Sequence, residues 1–138
     1  MSKEFCFAVR VYFEDTDAGG VVYNASYVRF LERARTEYLR SFGISQQDLL
    51  ASHIGFVVAS LQMDFRKAAR LDEELIVKCR IAEVKRSYVI FDQEITNSDG
   101  SIQYIRASVK IACVDLSAMR PIPFPENFKE VFKKLKNI

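Results

Sequence analysis

Arg10-Val11-Tyr12-Phe13-Glu14-Asp15-Thr16-Asp17-Ala18-Gly19-Gly20-Val21-Val22-Tyr23-Asn24-Ala25-Ser26-Tyr27 is the stretch whose reading decides the fold. Before it, Phe5, Phe7, Val9, Val11 and Phe13 alternate with Cys6, Ala8, Arg10, Tyr12 and Glu14. A period of two predicts a strand. After it the period changes. From about Val22, the residues Tyr23, Tyr27, Phe30, Leu31, Ala34, Tyr38 and Phe42 recur at steps of three and four, with Arg29, Glu32, Arg33, Arg35, Thr36 and Arg40 between them. That spacing predicts a helix of about five turns or more with one apolar face. Asp15 to Gly20 forms the turn that joins the two, and Gly19 and Gly20 permit backbone conformations closed to other residues. Gly43 is the expected stop.

Working outward, Ser45 predicts an N-cap for a short helix over Gln46–Ala51. Four strands follow. Val57, Ala59, Leu61, Met63 and Phe65 alternate in the first, and Leu75, Val77, Cys79 and Ile81 in the second. Lys85-Arg86-Ser87 reads as a tight turn into a third strand marked by Val89, Phe91 and Ile95. Asn97-Ser98-Asp99-Gly100 is a hairpin signal, and Ile105, Ala107, Val109, Ile111 and Cys113 mark the last strand. A basic helix from Pro125 to about Asn137, with Pro125 near its first position, ends the chain. One long helix cannot bury its apolar face alone, and an antiparallel sheet needs one face covered. The expected class is therefore α+β, a five-stranded antiparallel sheet wrapped around one long helix. Its free edges favour pairing between subunits.

Composition bounds the rest. A chain of 138 residues is read as one domain, 1–138, able to bury roughly 70% of its unfolded surface. Net charge is +2, too small for a nucleic-acid surface. No apolar run spans a membrane, and none near the start resembles a signal peptide. Cys6, Cys79 and Cys113 are odd in number and sit in strand patterns, so reduced, buried thiols and a cytoplasmic location are expected.

Several chemistries fail at the junction. An EF-hand loop from Asp15 would need an acceptor where Gly19 stands and Glu where Ser26 stands. A phosphate-binding loop would need Lys after the glycines, where Val21-Val22 follow. A phosphoryl-accepting aspartate would need a parallel sheet, and no such alternation follows. A nucleophile–base triad would have to use His53, the only histidine, with no positioned partner evident. A carboxylate beside the N-terminus of a helix remains. Free N–H groups there carry partial positive charge and can stabilise an oxyanion. A carboxylate is ionised at neutral pH and can attack a carbonyl or activate water. On this evidence alone, Asp15 and Asp17 could equally serve as helix caps.

The residues Arg10-Val11, then Thr16-Asp17-x-x-Gly20-Val21-Val22-x-Asn24-x-x-Tyr27, resemble the signature of the 4-hydroxybenzoyl-CoA thioesterase family of hot-dog-fold enzymes. The full run to Tyr27 with Glu32-Arg33-Ala34-Arg35-Thr36-Glu37 is similar to its YbgC-type acyl-CoA thioesterase branch, which is associated with the bacterial Tol-Pal system. Phe56-Val57-Val58, Ala69-Arg70-Leu71-Asp72, Ala112-Cys113-Val114-Asp115 and Met119-Arg120-Pro121 extend the resemblance along the chain.

The resemblance implies a hot-dog fold and hydrolysis of an acyl-CoA without metal or organic cofactor. Asp17 would be the nucleophile or the base for water. The backbone N–H of Asn24 would polarise the thioester carbonyl. Tyr23, read with Tyr12 and Tyr27 as packing at the helix start, is also a candidate to border the thioester channel. Phe56, Val57, Val58 and Ala59 of a neighbouring subunit would line the acyl pocket. Lys85 and Arg86 match basic residues near the CoA phosphates, or are a solvated turn. Sites at subunit interfaces imply a homotetramer built as a dimer of dimers, with acyl carrier protein as an alternative acyl donor and at most peripheral membrane contact. Asn24 departs from the branch, which usually has His there, so its side chain shuttles no proton. Glu32 and Glu37, candidates for the other hot-dog layout, fall on the polar side of the helix. Two readings compete with hydrolysis. One is a hydratase or dehydratase through His53. The other is a non-catalytic module that binds acyl thioesters or acyl carrier protein at the cell envelope.

Overall fold

A computed structural model describes residues 4–136. Strand β1 (Phe5–Arg10) is followed by a 3-10 turn at Phe13–Asp15, helix α1 (Asn24–Arg40) and helix α2 (Gln46–Ala51). Strands β2 (Ile54–Phe65), β3 (Glu74–Val84), β4 (Tyr88–Asn97) and β5 (Gln103–Asp115) come next. A two-residue strand β6 (Arg120–Pro121) and helix α3 (Glu126–Lys136) complete the order. The sheet runs β1-β3-β4-β5-β2 with every pair antiparallel, and β6 adds to β5.

Strand alternation sets the two faces. Leu75, Val77, Cys79 and Ile81 of β3 and Val89, Phe91 and Ile95 of β4 are buried in the core with Phe30, Leu31, Ala34 and Tyr38 of α1. This is the hot-dog arrangement, a curled antiparallel sheet around a helix. The opposite face carries ion pairs, among them Arg80 and Arg106 on Asp92 at 2.6 and 3.1 Å. Gly43 ends α1 as expected. Its φ is +82°, its N–H donates to Arg40 O, and Ile44 N–H donates to Leu39 O, a Schellman closure. Ser45 Oγ accepts from Asp48 N–H and caps α2.

Four expectations need correction. Cys6, expected as a buried thiol, is exposed, because it lies opposite Lys78 on the outer face of the sheet, whereas Cys79 and Cys113 are buried. The first strand stops at Arg10, because the backbone tightens into the 3-10 turn, and Phe13 is 80% exposed rather than part of the core. The helix starts at Asn24 and spans 17 residues, so Tyr23 precedes it and Phe42 follows it, both exposed. The alternation in β2 is broken by a bulge: Val58 opposes Ile111 but Ser60 opposes Lys110, leaving Ala59 extra. Phe56 and Val58 therefore share the inner face with Leu61, Met63 and Phe65, whereas Val57 turns outward opposite Ala112. Pro125 stands next to the first residue of α3, as expected, and its carbonyl accepts from Phe128 and Lys129 N–H; Asn137 lies outside the described residues.

Candidate functional site

The junction between β1 and α1 is built by Asp15. That residue is only 4% exposed, and its Oδ2 accepts from Tyr12 N–H at 2.8 Å. Its carbonyl accepts from Tyr23 N–H at 2.9 Å and from Ser26 Oγ at 3.1 Å. Arg29 Nη2 stands 3.8 Å from Oδ1. These contacts consume Asp15 as an anchor that fixes where the helix begins.

Asp17 is placed differently. Its backbone closes a turn, with Gly20 N–H donating to its carbonyl at 3.1 Å and its own N–H donating to Val21 O at 3.0 Å. Gly20 reaches φ +76°, a left-handed conformation in which a Cβ would be strained. The exposed Asp17 carboxylate accepts one hydrogen bond, from Gly19 N–H at 2.9 Å. It does not cap α1.

No side chain caps α1. Tyr23 holds the cap position in extended conformation without a side-chain hydrogen bond. Ser26 N–H turns back to Tyr23 O at 2.8 Å. Among the described residues, the N–H groups of Asn24 and Ala25 have no hydrogen-bond acceptor. They carry the exposed partial positive charge of a helix N-terminus.

Asp17 and Asn24 line the same hollow of about 320 Å³, with Val22, Tyr27 and Phe65 along its wall and Arg66 and Lys67 also facing it. The segment bearing those two cations is tied to the helix start. Ala69 N–H donates to Tyr27 Oη at 3.0 Å, and Val22 N–H donates to Ala69 O at 2.8 Å. Tyr27 is 2% exposed, and burial raises its hydroxyl pKa above the usual phenol value, consistent with a neutral acceptor. Asp17 also lines a second hollow, with Phe13, Glu14, Ala18 and Leu71.

The remaining sequence candidates, Tyr23 apart, are elsewhere in the chain. Phe56 packs among Phe124, Phe128 and Phe132 with ring centroids 5.5, 6.1 and 6.3 Å away. With Val58 it also borders a cavity of about 90 Å³ beneath Glu32, Arg35 and Thr36. Val57 and Ala59 face away from that cavity or form the bulge. Tyr23 is 56% exposed beside Asn24. Lys85 and Arg86 form the β3–β4 turn, with Lys85 Nζ 3.3 Å from Glu83 and Arg86 O accepting from Phe124 N–H. His53, at φ +60°, precedes β2, and its carbonyl accepts from Leu116 N–H. The 12 residues of β2 separate this end from Phe65 by roughly 35 Å. One subunit therefore gathers Asp17 and Asn24, with Phe56, Val58, Lys85, Arg86 and His53 at the far end. Glu32 is exposed, and its Oε1 accepts from Thr36 Oγ1 at 3.2 Å; Glu37 pairs with Arg40. The basic pair at Arg66 and Lys67 escaped the sequence reading, which assigned no role to the segment between Phe65 and Leu75.

Comparison with known proteins adds independent information. Residues 11–132 match the family described as the thioesterase-like superfamily. The chain is 48% identical to the acyl-CoA thioesterase YbgC of Haemophilus influenzae, over 99% of each chain. A probable thioesterase from Bartonella henselae superposes with a TM-score of 0.82 at 34% identity, covering 89% of this chain and 100% of that one. A 1,4-dihydroxy-2-naphthoyl-CoA thioesterase from Synechocystis superposes with a TM-score of 0.89 over 96% and 98% of the two chains. At 23% identity it speaks for the fold alone.

Proposed function

The chain belongs to the thioesterase-like superfamily, among the YbgC acyl-CoA thioesterases, and from that premise we propose that it hydrolyses acyl-CoA thioesters at the Asp17–Asn24 junction. The hydrolase activity rests on the family. Its assignment to these residues rests on one observation: an exposed carboxylate, Asp17, and the residue that opens the uncapped helix, Asn24, line one hollow.

In this reading the thioester oxygen accepts from Asn24 N–H. The amide strengthens its hold as negative charge develops on that oxygen, and a donor of this kind is worth on the order of 3 kcal/mol. Asp17 faces the carbonyl carbon. Either its oxygen attacks, giving an acyl intermediate that water opens, or it takes a proton from the attacking water. By either route the carbon gains a water oxygen, the C–S bond breaks, and the CoA thiolate leaves and is protonated. The Asn24 side chain cannot shuttle a proton at neutral pH, so proton transfer falls to Asp17 and water.

The acyl pocket is completed in this proposal by a second subunit. Strand β2 is an edge strand, and its inner face leaves Val58 50%, Leu61 38% and Phe65 53% exposed. Antiparallel pairing of β2 with its copy would set Phe56 to Ala59 of one subunit beside Phe65, and hence Asp17, of the other. The dimer of dimers, acyl carrier protein as a donor and the Tol-Pal association rest on the motif resemblance alone, and the cytoplasmic location on the cysteine pattern. No helix of the described chain is long and apolar enough to cross a membrane.

The test is CoA release from a panel of acyl-CoA thioesters by wild type, Asp17→Ala and Asp17→Asn. The expected result is loss of turnover with the oligomer intact. Undiminished turnover in either variant refutes the assignment.

A further inference from the structure

Arg66 and Lys67 follow directly on β2 and line the hollow that holds Asp17 and Asn24. Among the described residues, neither side chain forms an ion pair or a hydrogen bond. Many of the chain's other cations are paired. Arg10 pairs with Glu74, Lys78 with Glu94, and Lys85 with Glu83. The backbone beneath Arg66 and Lys67 is held. Their N–H groups donate to Tyr104 O at 2.8 and 3.4 Å, and Ala69 is clamped by Tyr27 and Val22. The charge at the hollow is also unbalanced. It is lined by one carboxylate, Asp17, and two cations, and the helix start at Asn24 adds to the positive side.

We propose that Arg66 and Lys67 bind an oxyanion carried by the thioester substrate and so determine which thioesters the site accepts. The inference rests on the reading that this hollow holds the thioester. The oxyanion has two possible sources of the same chemistry, a phosphate of CoA or a carboxylate ending the acyl group. Both are acceptor-rich anions suited to a fork of guanidinium donors beside an ammonium. The site lies at the opposite end of the sheet from Lys85 and Arg86, so it is a separate anion contact within one subunit.

The experiment compares wild type with the double variant Arg66→Gln/Lys67→Gln in two arms. The first measures the dissociation constant of CoA itself by calorimetry. The second measures kcat/KM for succinyl against butyryl N-acetylcysteamine thioesters, which carry no phosphate. If the anion is a CoA phosphate, CoA binding weakens about tenfold and loses most of its salt dependence. If it is an acyl carboxylate, CoA binding holds and the succinyl preference falls about tenfold. Neither arm moving, in a variant that melts at the wild-type temperature, overturns the proposal. If the double variant fails to fold, Arg66→Lys and the two single Gln variants give the same readouts, with the Lys variant expected to retain wild-type values more closely. CoA binding requires no turnover, so this arm is independent of whether Asp17→Asn abolishes hydrolysis.

Discussion

Beyond the midpoint of α1, Arg35 is 7% exposed and donates to Gln93 Oε1 at 3.0 Å. Gln93 Nε2 in turn donates to Leu31 O at 3.0 Å and approaches Cys79 Sγ at 2.7 Å. At the start of the same helix, Asn24 and Ala25 N–H have no acceptor, and the Asp17 carboxylate keeps most of its acceptor sites free. Both places are polar, but only the first is closed. Among the described residues no buried side-chain nitrogen or oxygen lacks a partner. Polar groups that satisfy one another inside the core fix the seat of the helix on the sheet. Polar groups left open at a hollow can meet a substrate. One helix thus carries an architectural network in its middle and the candidate chemistry at its end.

The largest effect should separate the two regions by activity. Asp17→Asn keeps a carbonyl oxygen for Gly19 N–H, so the turn and the melting temperature should hold. Turnover should fall on the order of a thousandfold or more. Steady-state CoA release together with a thermal melt checks both halves.

Gln93→Ala should do the reverse. It leaves the buried Arg35 guanidinium without its acceptor, and a denaturant titration should show a loss of about 3 kcal/mol. Turnover per folded molecule should stay near wild type. A collapse of kcat without loss of stability would merge the two regions and break the comparison.

Tyr27→Phe probes the border between them. It removes the acceptor for the Ala69 N–H, which is buried, at a cost of about 1–2 kcal/mol. KM should rise more than kcat falls, because the clamp holds the segment bearing Arg66 and Lys67. Equal changes in both parameters would indicate a reacting role for the hydroxyl.

The smallest effect is confined to alkaline solution. Burial pushes the Cys79 thiol from 9.0 up to about 12, and the Cys113 thiol from 9.0 to about 11. Above pH 9 the unfolded chain releases these protons while the folded chain keeps them. The folded state then binds more protons, so stability falls as pH rises from about 9 toward 12 and is unaffected by these groups below that range. Melts of wild type and Cys79→Ala across this range should diverge in slope. Identical slopes would show that this thiol does not titrate with unfolding.

Much of the fold was legible because its signals are local. The change of period at Val22, the glycine stop at Gly43 and the Ser45 cap each depend on a few neighbouring residues. The extra residue at Ala59 was not legible, since a bulge shows only when the partner strand is in place. The end of β1 was misread for a similar reason: Phe13 continues the alternation, yet the Asp15–Tyr12 contact bends the chain before it. At the site, Asp17 and Asn24 were readable as neighbours along a motif. Arg66 and Lys67 were not, because they reach the hollow only through β2 and the clamp from Tyr27. Residue pattern alone treated Asp15 and Asp17 alike and only the motif resemblance singled out Asp17; the structure separates a buried anchor from an open carboxylate.

The most direct measurement is a crystal structure of the Asp17→Asn protein with an uncleaved acyl-CoA bound. The expected result is a thioester oxygen within about 3 Å of Asn24 N, with the residue 17 amide against the carbonyl carbon. A thioester seated instead beneath Glu32 and Thr36, with the Asn24 amide facing solvent, would contradict the account.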